Sequence, residues 1–324
     1  MTAKQLTSYI TSLLAVFLLA CSPEPEENVT STEPVPETAP SPRPMKIMLL
    51  TKSQSNPYYV MMEQGARGAA EQLGVTLVAR GTPNETHVAL QKKIFLGAKE
   101  EGFDAIVFVP SKTAQLLPTI KQVQDQGVIL VNLDDKIDPI QAEKVGLSPI
   151  PFVGIDNQEA AQAMANAVLQ RNPDINAAFI VLGPQSSSVS EARAEGYRRA
   201  LASQQRQVLG EASANWQYVE AYELSDKLLQ QHPNIDAFFC ANDVMAIAIS
   251  KLLEDRSRND IKVIGYDAIP EAQALVEQGK LAATLDQQSD QQGAQGVRTA
   301  VALLKGEQVK AESWVLPELI IKPQ

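Results

Sequence analysis

The chain has 324 residues, 44% of them hydrophobic and 20% charged, which is ordinary globular composition with apolar surface enough for more than one core. Its formal net charge of −10 would repel a phosphate backbone or an anionic membrane surface, so nucleic acid is not an expected partner. One or two domains is the expectation.

The first forty residues read as an address and a tether. Lys4 gives a weakly positive start, and an apolar run from Ile10 to Ala20 precedes Cys21. That run is too short to span a bilayer stably. Residues 1–20 are therefore expected to be a signal peptide. Leu18, Leu19, Ala20 and Cys21 resemble a bacterial lipobox, which implies cleavage before Cys21 and its acylation; an ordinary signal with an incidental cysteine is the alternative. Several acyl chains anchor firmly, so the mature protein is expected in the periplasm or at the cell surface as a membrane-anchored lipoprotein. By analogy with lipoprotein sorting, Ser22 in place of Asp argues against inner-membrane retention. Residues 21–44 are rich in Pro, Glu, Ser and Thr and are expected to be a disordered, semi-stiff tether. Cys240, the only other cysteine, lies in an apolar run and is expected to be a buried, inert thiol without a disulfide partner.

From Met45 onward short Val/Ile/Leu/Phe runs alternate with stretches of helical period, the pattern of parallel strands joined by crossover helices. In chain order the expected strands are KIMLLT (from Lys46), VTLVAR (Val75), AIVFVP (Ala105), VILVNL (Val128), AAFIVLG (Ala177), AFFCAN (Ala237), KVIGYD (Lys262) and AATLD (Ala282). Between Thr51 and Val75 the stretch SQSNPYYVMMEQGARGAA opens a helix, with Asn56 as its cap and Pro57 in its first turn.

A weak internal repeat organises these elements. The segment from Phe103 to Asp135 parallels that from Ile235 to Ala268, each strand, helix, strand, with Pro110 and Ser111 opposite Asn242 and Asp243 and Asp134 opposite Asp267. The fold expected is α/β: two similar doubly wound parallel-sheet lobes. Ligands of such sheets bind outside the carboxyl ends of the strands.

Several segments, in order, resemble the ribose and galactose type of periplasmic sugar-binding proteins, the type I periplasmic binding protein family. They are SNPYYVMMEQGARGAAEQLGV, VNLDD, SEARAEGYRRAL, HPNIDAFFCANDVMAIAI, VIGYDAIPEA and GKLAATLDQQSDQQG, and the likeness runs from about Met45 to Lys322. It implies a solute receptor for an ABC transporter, with residues 45–155 plus 288–316 as the N-terminal lobe and 156–287 plus 317–324 as the C-terminal lobe. It also implies that the lobes are joined by a three-segment hinge, with crossings near Gly154–Asn157, Gln287–Ser289 and Val315–Pro317.

The resemblance also implies the site. Tyr58 and Tyr59 become walls stacked on a sugar ring, although an aromatic pair opening a helix also serves as core, while Asn56 bonds a hydroxyl. Asp134 and Asp267 are matched carboxylates that accept hydroxyl protons. Asn242 bonds ligand, Gln287 sits on the hinge side, and Trp216 falls at a ring-stacking position that Tyr218 could fill instead. Two departures stand out: Asp135 replaces an arginine that follows the first carboxylate, and Glu191 falls where another arginine is expected, with Arg193 matching a second arginine tied to structure. Two carboxylates in a closed cleft need a cation. Lys52 could supply it, or the ligand could be an amino sugar or a polyol whose hydroxyls all donate; otherwise Asp135 turns to solvent and the register near Glu191 slips.

Nothing indicates enzymology. There is no phosphate loop or nucleophile elbow, and His87 and His232 lack metal-ligand spacing and read as solvated. No cofactor or metal is expected. The expected partners are a small sugar or polyol and an ABC permease or, alternatively, a sensor-kinase or chemoreceptor ectodomain, with the chain itself a monomer.

Overall fold

The computed structural model describes residues 43–322, so the signal, the Cys21 anchor and most of the tether lie outside the described residues. Within them, two six-stranded sheets each form the centre of an α/β lobe.

The first lobe begins β1 (Lys46–Thr51), α1 (Pro57–Leu73), β2 (Thr76–Gly81), α2 (Val88–Gly97), β3 (Ala105–Phe108), α3 (Thr113–Asp125), β4 (Ile129–Leu133), α4 (Pro139–Lys144) and β5 (Phe152–Gly154). The chain then builds the second lobe: α5 (Asn157–Arg171), β6 (Ala177–Leu182), α6 (Ser188–Ser203), β7 (Gln207–Ser213), α7 (Tyr218–Gln231), β8 (Ala237–Cys240), α8 (Asp243–Asp255), β9 (Lys262–Ile264), α9 (Pro270–Glu277) and β10 (Ala283–Asp286). It returns for α10 (Ser289–Leu304) and β11 (Glu312–Trp314), then ends on β12 (Glu318–Ile321) in the second sheet. The strand orders are β11-β5-β4-β3-β1-β2 and β12-β10-β9-β8-β6-β7. Both sheets are parallel except at β12, which runs antiparallel to β10. Three segments pass between the lobes, after Gly154, after Asp286 and after Trp314.

The eight strands read from apolar runs are all present, because central strands of such sheets are covered on both faces and carry continuous hydrophobic sequence. The internal repeat is structural as well. Asp104 opens β3 and accepts the backbone N–H of Lys46 at 2.8 Å, while Asp236 opens β8 and accepts that of Ala177 at 2.9 Å. Asp134 and Asp267 each follow the matching strand, β4 or β9, with positive φ of 59° and 120°, and each donates its N–H to the neighbouring strand, to Val153 O at 3.0 Å and Leu285 O at 2.9 Å.

In each lobe a helix pair packs close through glycine. A Cβ on Gly293 of α10 would fall 2.1 Å from the Met62 carbonyl of α1, and one on Gly196 of α6 would fall 2.4 Å from the Gln158 carbonyl of α5. Cys240 is fully buried on β8, and burial pushes its thiol well above its ordinary pKa, as an inert core cysteine requires. His232 departs from expectation: it is half-buried, its ring 6.0 Å from that of Phe179, because the loop after α7 folds it onto the edge of the core.

Candidate functional site

The carboxyl ends of the two sheets face each other across a narrow, nearly shut gap of about 20 Å³. Ten of the twelve residues expected to hold ligand line it. The first lobe contributes Lys52, Asn56, Tyr58, Tyr59 and Asp134; the second contributes Arg193, Trp216, Asn242 and Asp267, and Gln287 stands at a crossing.

Helix starts place several of these groups. Asn56 caps α1 by accepting the Tyr58 N–H at 3.0 Å, and Pro57 occupies the first turn, so the chain turns from β1 into α1 with both tyrosines at the mouth of the gap. Tyr58 and Tyr59 meet edge to face, with ring centroids 5.0 Å apart, and both are buried. Tyr58 donates its hydroxyl proton to Asp134 Oδ1 at 3.2 Å. In the second lobe Asn242 caps α8 through Oδ1, which accepts the Met245 N–H at 3.1 Å, and it lines the gap. Trp216 has φ of 63° and packs over Gly183, where a Cβ would stand 2.1 Å from the indole. Left-handed backbone at Asp134, Trp216 and Asp267 concentrates local strain around one gap, as functional sites often do.

Arg193 is the buried hub of the second lobe. Its Nε donates to Asn157 Oδ1 at 2.8 Å, its Nη1 donates to Ala241 O at 2.7 Å and approaches Asp267 Oδ1 at 3.4 Å, and its guanidinium lies 3.9 Å from the Tyr266 ring centroid. Asp267 also accepts from Gln287 Nε2 at 2.6 Å. The Gln287 amide oxygen, Oε1, is buried with no partner among the described residues, an acceptor that lacks a donor.

The electrostatics follow from burial. Burial lifts the Asp134 carboxyl above the usual range, with Lys52 and Arg193 pulling it back only in part. Burial lifts Asp267 further, against Arg193. Burial would lower Lys52, but Asp135, Asp134 and Glu85 together outweigh it and raise its pKa.

Two expected residues do not line the gap. Asp135 is buried rather than solvated and pairs with Lys52 Nζ at 3.1 Å, so Lys52 is the cation that balances the extra carboxylate. Glu191 is a correction. Its side chain is 65% exposed and holds Arg198 at 2.9 Å, because two residues along α6 rotate it about 200° from Arg193, onto the solvent face. Tyr218, the alternative to Trp216, is exposed at the start of α7. Three lining residues were not anticipated: Glu85, Ser187 and Val189. Glu85 accepts from Asn56 Nδ2 at 2.9 Å, and burial raises its carboxyl with Lys52 opposing. It stands in the loop after β2, in TPNETH, where no spacing or pattern marks it.

Two facing lobes with acceptors and aromatic rings converging between them define a cleft-type solute receptor. A family model for the periplasmic binding protein domain matches residues 47–308, and the chain belongs to this family of solute-binding proteins. Among its relatives, the D-ribose/D-allose-binding protein of Pseudomonas aeruginosa is 30% identical over 300 residues, covering 91% of each chain. The ribose import binding protein of Escherichia coli is 28% identical, over 85% of this chain and 90% of its own. A crystal structure of an ABC transporter periplasmic solute-binding protein from Actinobacillus succinogenes, with bound D-allose, superposes with a TM-score of 0.82 at 27% identity, covering 86% of this chain and 97% of that one. These relatives are binding components of sugar transport rather than enzymes.

Proposed function

We propose that the protein binds one neutral sugar of aldose type between its lobes, closes on it and presents it to an ABC permease, while a lipid on Cys21 holds it outside the membrane. The observation that carries this reading is the convergence of two buried carboxylates, Asp134 and Asp267, and the Gln287 amide oxygen with Tyr58, Tyr59 and Trp216 in one gap. Hydroxyl groups donate to such acceptors, and the apolar faces of a sugar ring lie against aromatic walls.

A cationic ligand is not required. Lys52 already balances Asp135 and Arg193 already faces Asp267, so the carboxylates that would otherwise call for an amine have resident partners. The names of the relatives, ribose, allose and import among them, support a sugar and favour delivery over sensing.

Ligand that touches both lobes favours the shut arrangement in proportion to the contacts made only there. The test is a thermal-shift panel of aldopentoses, aldohexoses, polyols and amino sugars. A ligand at a hundred times its Kd adds about 2.7 kcal/mol, so at least one neutral aldose should raise Tm by several degrees. A flat response to every neutral sugar, or a response to amines alone, would overturn the proposal.

A further inference from the structure

Asp135 touches no ligand space, yet it is 4% exposed and both of its oxygens are engaged. Oδ2 holds Lys52 Nζ at 3.1 Å, and Oδ1 accepts the hydroxyl proton of Ser188 at 2.6 Å. Asp135 follows β4 of the first lobe, whereas Ser188 opens α6 of the second. Among the described residues this is the one side-chain hydrogen bond that joins the lobes away from the crossing segments.

The surrounding loop is built to hold that carboxylate still. Asn132 donates through Nδ2 to the Asp135 carbonyl at 3.0 Å and accepts the Ile137 N–H through Oδ1 at 2.9 Å, bracketing the turn from both sides. Ser187 caps α6 by accepting the Ser190 N–H at 3.2 Å, which fixes the first turn that carries Ser188. Ser188 is itself exposed, so the bond lies at the rim of the cleft, where opening would hand both partners to water.

From this arrangement we infer that Asp135 is a positioning residue that latches the closed lobes through Ser188 and, by the same carboxylate, holds the Lys52 ammonium at the ligand gap. Closure and the placement of Lys52 are thereby one event: when Ser188 leaves, Asp135 loses one of its two partners and the ammonium loses a fixed counter-ion. The latch makes shutting partly independent of ligand, so the unliganded protein samples the shut state more than ligand contacts alone would allow. This rests on the sugar-receptor reading for its consequence in binding, but not for its consequence in lobe motion.

The experiment follows the two separately. Spin labels on Lys93→Cys of α2 and Lys227→Cys of α7, both exposed, report the distance between lobes in ligand-free protein. Ser188→Ala should broaden that distance distribution toward larger values, and Ser188→Thr, which keeps the hydroxyl, should restore it. With D-allose or D-ribose, Ser188→Ala should raise koff about three- to tenfold, the range for one partly exposed hydrogen bond, with little change in kon or in the ranking of sugars. Ser188→Ala added to Asp135→Asn should cost less than it does alone, because the two share one bond. Identical lobe distances for wild type and Ser188→Ala, or fully additive effects on koff, would overturn the latch. Failure of the wild-type protein to bind any aldose would instead overturn the sugar reading, and the ligand-free distances would still decide the latch.

Discussion

Replacing Asp134 by Asn should move binding and stability in opposite directions. The carboxyl is 5% exposed, accepts from Tyr58 at 3.2 Å and has no cation in direct contact among the described residues, since Lys52 pairs with Asp135. Burial therefore raises its pKa above the ordinary carboxylate value of 3.8, which means the ionised form is disfavoured by folding. Asn has the same shape and its amide oxygen can still accept from Tyr58, so the ligand-free variant should be more stable at neutral pH. The ligand, by contrast, loses charge-assisted hydrogen bonds worth about 1.5–3 kcal/mol, or roughly 10- to 150-fold in Kd. Calorimetric titration with D-allose and D-ribose gives the affinity, and urea unfolding of the ligand-free protein gives the stability. A variant that is less stable and binds within twofold of wild type would show that Asp134 is structural and would refute the reasoning.

Four further outcomes are expected. Gly183→Ala places a Cβ 2.1 Å from the Trp216 indole, so the ring must swing out of the gap and affinity should fall at least tenfold, measured by titration, with a smaller loss of Tm. Glu191→Ala should leave Kd within twofold, because that side chain is 65% exposed and serves only Arg198. Gly293→Ala drives a methyl to 2.1 Å from the Met62 carbonyl and should cost about 2–3 kcal/mol in urea unfolding by parting α1 from α10. Asp243 is raised by burial from 3.8 to about 6, so between those values the folded chain holds a proton that the unfolded chain has released; stability should fall as pH rises through that window, by up to ~1.4 kcal/mol per pH unit. Asp243→Asn should flatten that slope in unfolding curves collected from pH 4 to 6.5.

What the sequence made legible follows from burial. Strands covered on both faces carry unbroken Val, Ile, Leu and Phe, and those were read directly. Those missed were β5, β7, β11 and β12: β7, β11 and β12 are sheet edges, and β5, three residues long, is next to one. Edge strands such as QVLGEAS have one open side, so their apolar run is diluted and carries no clear period. The edge strand β2 was read only because TLVAR keeps a short apolar core. The paired aspartates at the ends of β4 and β9 were visible through the internal repeat, because equivalent backbone turns impose equivalent residues. Glu191 was misplaced because a register taken from aligned letters ignores the helical turn, which sends alternate residues to opposite faces. Glu85 was invisible because a loop residue reaches a site through the path of the chain, which no local spacing encodes.

The most direct test of the whole account is calorimetric titration of the protein with D-allose, D-ribose, a neutral polyol and an amino sugar at pH 7. The account predicts saturable one-to-one binding of at least one neutral aldose, abolished or weakened at least tenfold by Asp267→Ala, with the amino sugar no tighter. Absence of binding by every neutral sugar, or affinity unaffected by Asp267→Ala, would contradict the claim that the facing sheet ends grip a hydroxyl-rich ligand.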